Sequence, residues 1–308
     1  MKAAIISQYE TQVEIAEIEQ PTLLADSVLI EVHAASVNPI DNIIRAGYMK
    51  EMIPIAFPFT MGFDVSGVVI EVDNQVTNFK KGDTVFSRPD TFQAGTIAEY
   101  AVIKEAEIAH KPTNISHQEA ASIPLVGLTA LQALVSKGNL QKGQKVLIHA
   151  GSGGVGTMAI QIAKNLGAEV ATTTSSANVE MVKNLGADIV IDYKTQQFEE
   201  ELNDYDLVFD MMGGEIMENS FNVLKKGGCL VSIKGQDTKG LADQFGVQFE
   251  SFFMWPSGQM LSELAQMLSD NALKPIIDAT YTIDQTQEAY DYLQAGRSKG
   301  KTVIQVKA

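Results

Sequence analysis

Hydrophobic positions fall into short β-branched runs through residues 1–110 and into longer helical faces after residue 145. The runs Met1–Ser7, Val13–Ile18, Ser27–Ser36, Val65–Val72 and Gly95–Ile103 are separated by turn signals such as Asp73-Asn74 and Lys81-Gly82-Asp83, a pattern that predicts strands. A short helix is expected after Asn38-Pro39, running through Arg45 and closed by Gly47, because proline suits a first helical position and glycine a helix end. From Lys145 onward strand and helix alternate. Lys145–His149 is apolar, and Val155–Leu166 carries apolar residues at 155, 158, 159, 162, 163 and 166, one face of a helix stopped by Gly167. Glu169–Thr174 reads as the next strand and Asn178–Leu185 as the next helix, ended by Gly186. Asp188–Asp192, Leu207–Met211 and Cys229–Ile233 follow as strands, with a helix through Ser220–Leu224 between the last two. Such a rhythm predicts a parallel sheet covered on both faces. Beyond residue 255, Gly258–Ser269 and Thr286–Leu293 read as amphipathic helices. Thr302–Val306 is an alternating strand that could rejoin the β-rich first part.

The turn after the first of the alternating strands carries chemistry. Gly151-Ser152-Gly153-Gly154-Val155-Gly156 fits G-x-G-x-x-G between a strand and a helix. Gly151 permits the tight turn, Gly153 lets backbone approach a pyrophosphate, and Gly156 lets helix pack on strand; Gly154 and Val155 open the helix, whose free N–H groups face the phosphates. A cofactor whose ribose carries a free 2′-hydroxyl is usually met by an acid at the end of the second strand. That strand ends Thr172-Thr173-Thr174-Ser175-Ser176, with hydroxyls and no acid, which favours NADPH. Lys183, in the following helix, reads as part of a solvated face.

Composition narrows the partners. The 308 residues suit about two domains, and 45% hydrophobic with 20% charged residues is ordinary globular usage. A net charge of −15 speaks against nucleic acid or an anionic membrane as partner, since both select basic patches. No apolar run spans a bilayer and the first residues lack a signal-peptide core, so a cytoplasmic protein is expected. The single cysteine, Cys229, excludes an intrachain disulfide and reads as a small buried hydrophobe. His33, His110, His117 and His149 show no metal spacing.

Several segments, in this order and spacing, resemble the zinc-independent quinone oxidoreductase branch of the medium-chain dehydrogenase/reductases across essentially the whole chain. They are Ser36-Val-Asn-Pro-Ile-Asp41, Pro58 to Val69, Lys81-Gly-Asp-Thr-Val85, Gly95-Thr-Ile-Ala-Glu-Tyr100, Gly127-Leu-Thr-Ala-Leu131, the glycine turn, Asp210-Met-Met-Gly-Gly214 and Gly300-Lys-Thr-Val-Ile304. The resemblance implies an α/β fold: a GroES-like β-rich catalytic domain over residues 1–120 and 270–308, and a Rossmann doubly wound parallel-sheet domain over 121–269. It also implies NADPH held in the cleft between them and a homodimer. Zinc-dependent relatives carry cysteine near Asn38 and Gly-His-Glu where this chain has Gly62-Phe63-Asp64. Those with a structural zinc have a four-cysteine lobe where it reads Ser87 to Ala94. Zinc is therefore expected to be absent, and Asp64 to make a structural hydrogen bond.

The resemblance also implies site residues. Asn38 would approach the nicotinamide ribose and Tyr48 would donate a hydrogen bond to the acceptor; these two are the catalytic candidates. Thr129 would sit near the nicotinamide. Tyr193 would flank the adenosine phosphate and Lys299 the 2′-phosphate. Gly213 and Ile233 fall at strand ends on the carboxyl edge, where ligands of such sheets bind. Phe249–Trp255 reads mainly as a sixth strand, with Phe253 also able to line an apolar acceptor pocket. The expected activity is hydride transfer from NADPH to a quinone or enone. A catalytically silent NADPH-binding regulator and an enoyl-thioester reductase stay open, while a methyltransferase leaves the β-rich first third unexplained.

Overall fold

The computed structural model describes residues 1–90, 95–296 and 298–307. Thr91–Ala94, part of the stretch read as lacking a cysteine lobe, thus lie outside the described residues. The chain divides into two compact units, Met1–Leu128 with Trp255–Ala308, and Thr129–Met254. The divisions differ from the expected 120/121 and 269/270. Helix Gly258–Ser269 packs on strand Ile108–His110, so it belongs to the first unit and not to the Rossmann sheet.

In the first unit, described residues form a seven-stranded sheet built on Ser27–Val37. This strand pairs antiparallel with Asp64–Val72 on one side and with the final strand, Lys301–Gln305, on the other. The terminal strand therefore does rejoin the N-terminal part, through a register that sets Thr302 opposite Val37. Val28, Ile30, Val65 and Val85 fill one core cluster and Ile6, Val37, Phe63 and Ile304 another. The strand expected over Gly95–Ile103 begins only at Tyr100. Its first residues instead bond to the small sheet near the N-terminus, with Ile97 N–H donating to Met61 O and Ala4 N–H to Ile97 O. Strands Thr84–Ser87, Ile108–His110 and Ile277–Thr282 had no separate signature in the pattern.

The second unit is a six-stranded parallel sheet in the order Ile189–Asp192, Glu169–Thr174, Lys145–Ile148, Tyr205–Asp210, Leu224–Ser232, Gln248–Ser251. In chain order these are strands three, two, one, four, five and six, the arrangement of dinucleotide-binding sheets with its switch point between strands one and four. Leu147, Ala171, Val208, Phe221 and Leu230 form its core. The helix expected over Ser220–Leu224 starts earlier, as Gly214–Asn219, and tightens into a 3₁₀ turn over Ser220–Val223.

Candidate active site

Helix Gly154–Asn165 is capped by Gly153, at the end of a five-residue turn after the strand ending at Ile148. A Cβ on Gly151 would stand 2.1 Å from the Thr172 hydroxyl oxygen, and one on Gly156 would stand 2.3 Å from the Ala150 carbonyl oxygen. Both glycines are thus required by packing. Gly153 differs: its Cβ would meet only the Ala150 oxygen, at 3.4 Å. The space over Gly153 is left open at a helix N-terminus, where the N–H groups of Gly154, Val155 and Gly156 lack intrahelical acceptors. His149, beside the turn, is a satisfied core histidine. Its ring nitrogens meet the Thr173 hydroxyl at 3.2 Å and the Ser220 hydroxyl at 2.9 Å, and burial lowers its pKa to about 4.

Thr174, Ser175, Ser176 and Tyr193 gather at the carboxyl ends of two neighbouring strands, with Tyr193 N–H donating to the Thr174 carbonyl at 3.2 Å. The Thr174 hydroxyl is buried without a partner, as is the Asn178 side-chain oxygen, while the Asn178 amide donates to the Ser152 hydroxyl at 3.1 Å. Tyr193 is 61% exposed. Sequence reasoning missed Asp192. This acid ends the third strand, sits opposite Thr174, and accepts the Ser176 hydroxyl, which holds its carboxyl below the ordinary range. An acid absent from the second strand is thus supplied by its neighbour. Only the parallel register brings it there.

Gly213 and Ile233 are brought to the same edge. Gly213 takes a positive φ of 71° and caps helix Gly214–Asn219; Ile233 N–H donates to the Asp210 carbonyl at 3.1 Å. Thr129 lies well inside helix Pro124–Leu131 and is buried. Cys229 is buried in its strand, and burial pushes its thiol up to about 11. Phe249 stacks near Phe221, whereas Phe253 is half exposed.

The first unit holds the other candidates, and they do not converge. Asn38 caps helix Pro39–Arg45, and its backbone N–H donates to Asp41 at 2.9 Å. Its side chain is 1% exposed, with Nδ2 donating to Asp64 at 2.8 Å and Oδ1 accepting from Lys301 at 2.5 Å. Each end of the Asn38 amide thus already holds one partner inside the unit. Tyr48 lies beyond the other end of this helix, and a seven-residue helix is about 10 Å long. Tyr48 is 85% exposed and lines a hollow of about 500 Å³ with Thr11, Arg45 and Gln287. Lys299 is exposed, its N–H donating to Asp278 at 3.1 Å.

A second residue that sequence reasoning passed over is Lys301, two positions on. It is 5% exposed, and its ammonium meets the Val37 carbonyl at 2.9 Å and Asp64 at 3.2 Å besides Asn38. Asp64 also accepts the Ser36 hydroxyl at 2.8 Å and Leu125 N–H at 2.7 Å, so it makes the structural hydrogen bonds expected of it. Neighbouring Asp41 accepts the Tyr290 hydroxyl at 3.1 Å, and burial raises its carboxyl to about 7. Folding also stacks His33 on His117, with ring centroids 4.4 Å apart, although the two are far apart in sequence. Among the described residues no cluster of three or more His, Cys, Asp or Glu is arranged to hold a metal ion.

Alcohol dehydrogenase GroES-like domains match residues 25–113, zinc-binding dehydrogenases residues 185–304, and the C-terminal domain of alanine dehydrogenase/PNT residues 121–211. The NAD(P)H oxidoreductase RTN4IP1, mitochondrial, of Mus musculus is 34% identical over 99% of this chain and 89% of its own length. The chain belongs to the medium-chain dehydrogenase/reductases. This oxidoreductase is also similar to the NADPH-dependent alkenal/one oxidoreductase, chloroplastic, of Arabidopsis thaliana, at 33% identity over 99% of the chain and 79% of that protein. Its fold superimposes on the quinone oxidoreductase from Coxiella burnetii with a TM-score of 0.91 at 32% identity, covering 100% and 99% of the two chains.

Proposed function

We propose that this medium-chain reductase binds NADPH and passes hydride, without zinc, to a small quinone or α,β-unsaturated carbonyl acceptor. The observation that carries the reading is the open cradle over Gly153, at the N-terminus of a helix that follows the first strand of a dinucleotide-type sheet. Relatives named for alkenal/one and quinone reduction support the acceptor class.

The residues fit the cofactor. Gly151 to Gly156 would take the pyrophosphate, and the unpartnered Thr174 hydroxyl, Ser175 and Tyr193 would take the adenosine end; Ser176 would turn its hydroxyl from Asp192 to meet the 2′-phosphate. Gly213 and Ile233 would border the nicotinamide half. Lys299, Thr129 and Asn38 have no such direct support; Asn38 serves by fixing the start of the helix that leads to Tyr48. When bound, NADPH supplies the hydride. An enone or quinone then needs one proton and a donor for its developing oxyanion. The exposed Tyr48 hydroxyl is suited to donate that hydrogen bond, and water suffices as proton source. Zinc-free chemistry is supported by the donor set: Asn38 and Asp64 are turned to an ammonium, and Phe63 offers no ligand.

Absorbance of NADPH followed with quinone and enone panels, and with NADH alongside, tests the reading. Oxidation of NADPH well above NADH is expected. Tight binding with no oxidation by any acceptor would overturn it in favour of a silent regulator. The same reading includes a homodimer, supported by the edge strand Gln248–Ser251, which is paired on one side only in the sheet order. It also includes a cytoplasmic location. Sedimentation and cell fractionation test these two.

A further inference from the structure

Two loops at the carboxyl edge of the parallel sheet, after Tyr205–Asp210 and after Leu224–Ser232, are tied to one buried carboxylate. Asp210 is fully buried. Its Oδ1 accepts the N–H groups of Met212 at 2.9 Å and Gly213 at 3.0 Å, which turns the first loop back onto the strand end. Its Oδ2 accepts the Ser232 hydroxyl at 2.7 Å. The Ser232 oxygen in turn accepts the N–H groups of Lys234 and Gly235, each at 3.1 Å, which turns the second loop. The Asp210 carbonyl takes Ile233 N–H. One carboxylate and one hydroxyl therefore set the path of both loops.

Their place on the sheet gives the tie its meaning. Thr174 ends the second strand and Ser232 the fifth, three neighbour spacings apart in the sheet order, or about 14 Å at ~4.8 Å per strand. The glycine turn follows the first strand, which lies between them beside the switch point. A dinucleotide whose pyrophosphate lies over Gly153 and whose adenosine end reaches Thr174 must send its other half across the ends of the fourth and fifth strands.

We propose that Asp210 and Ser232 are positioning residues for the nicotinamide half of the cofactor: they do not touch it, but hold the Met212–Gly213 and Ile233–Gly235 backbone that borders it. This rests on the NADPH reading above. Neither group gives up a proton in the proposal. Asp210 acts as a fixed acceptor, and Ser232 relays one hydrogen bond while accepting two.

The test is binding without turnover. NADPH and adenosine 2′,5′-bisphosphate, which carries only the adenosine end, are titrated against the full chain and its Ser232→Ala variant, with thermal melts alongside. Ser232→Ala should weaken NADPH about tenfold, the scale of one or two lost hydrogen bonds, and leave the adenosine fragment within about twofold. Asp210→Asn, which keeps the shape but places an N–H₂ where an acceptor is needed, should give the same split. Equal weakening of both ligands would mean a merely structural role and overturn the proposal, as would unchanged NADPH binding. Gly153→Ala separates the failures. If it weakens NADPH while Ser232→Ala does not, only the positioning role falls; if it too leaves NADPH binding unchanged, the cofactor reading falls and takes the proposal with it.

Discussion

Alanine at Gly156 and alanine at Gly153 are the same chemical change three residues apart, yet the structure assigns them opposite consequences. At Gly156 the added methyl would lie 2.3 Å from the Ala150 oxygen, 2.7 Å from Gly151 Cα and 2.9 Å from Gly151 C, all backbone atoms that cannot rotate away. Helix and strand must separate, which costs on the order of 1–3 kcal/mol. With roughly 2–4 °C per kcal/mol for a domain of this size, the melt of Gly156→Ala should fall by about 5 °C. At Gly153 the methyl meets only the Ala150 oxygen, at the ordinary contact distance of 3.4 Å, and φ is −80°, open to any residue. Stability should change by less than about 0.5 kcal/mol, the usual range for a substitution that disturbs no packing. NADPH affinity should nevertheless fall by about tenfold or more, equivalent to ~1.4 kcal/mol, because the methyl fills the space through which the phosphates reach the helix N–H groups. Thermal melts and fluorescence titration with NADPH, run on both variants, read the two effects separately. A Gly153→Ala protein that melts and binds like the wild type would refute the placement of the pyrophosphate. A Gly156→Ala protein that melts like the wild type would refute the packing argument.

Two more outcomes follow from the acids. Burial raises Asp41 to about 7 from an ordinary 3.8, so the folded chain keeps a proton that the unfolded chain releases; its contribution to stability is full below the unfolded value and is lost as pH rises through the folded one. Asp41→Asn should therefore gain on the wild type in urea melts as pH climbs across that window, and parallel curves would show that Asp41 is ionised throughout. Asp192→Asn removes a carboxylate from beside Ser176 and should raise the ratio of NADPH to NADH kcat/KM several-fold; a fall in that ratio would mean that the Asp192–Ser176 pair serves the 2′-phosphate.

The local pattern determined the elements that bury one face or turn on a glycine. Val155–Leu166 shows its helical face and its glycine stop in the sequence, and the structure starts that helix at Gly154. Gly156 can be read from spacing because its constraint is local, a side chain there striking backbone within one βα turn; Gly151 follows the same spacing, although the atom its side chain would strike belongs to Thr172 on the next strand. A local signal also marks the helix from Pro39 to Arg45. Short strands such as Thr84–Ser87 escaped because a few residues paired deep in a sheet carry no alternation of their own. Helix Gly258–Ser269 was recognised as a helix, but its partner, Ile108–His110, lies far away in sequence, so only packing could assign it to the first unit.

What tertiary structure alone decided was which polar groups meet. Asp192 comes to Ser176 through the parallel register of two strands. Lys301 reaches Asp64 and Asn38 because the last strand pairs beside Ser27–Val37, joining residues more than two hundred positions apart. Asp210 finds Ser232 across a strand pair. A buried charge or hydroxyl needs its partner supplied by the fold, whatever the separation along the chain. Periodicity records which face of an element is buried; it holds no record of the neighbour waiting on the other side, and so Asn38 and Asp64 could each be named from the sequence while their pairing, and the lysine that joins them, could not.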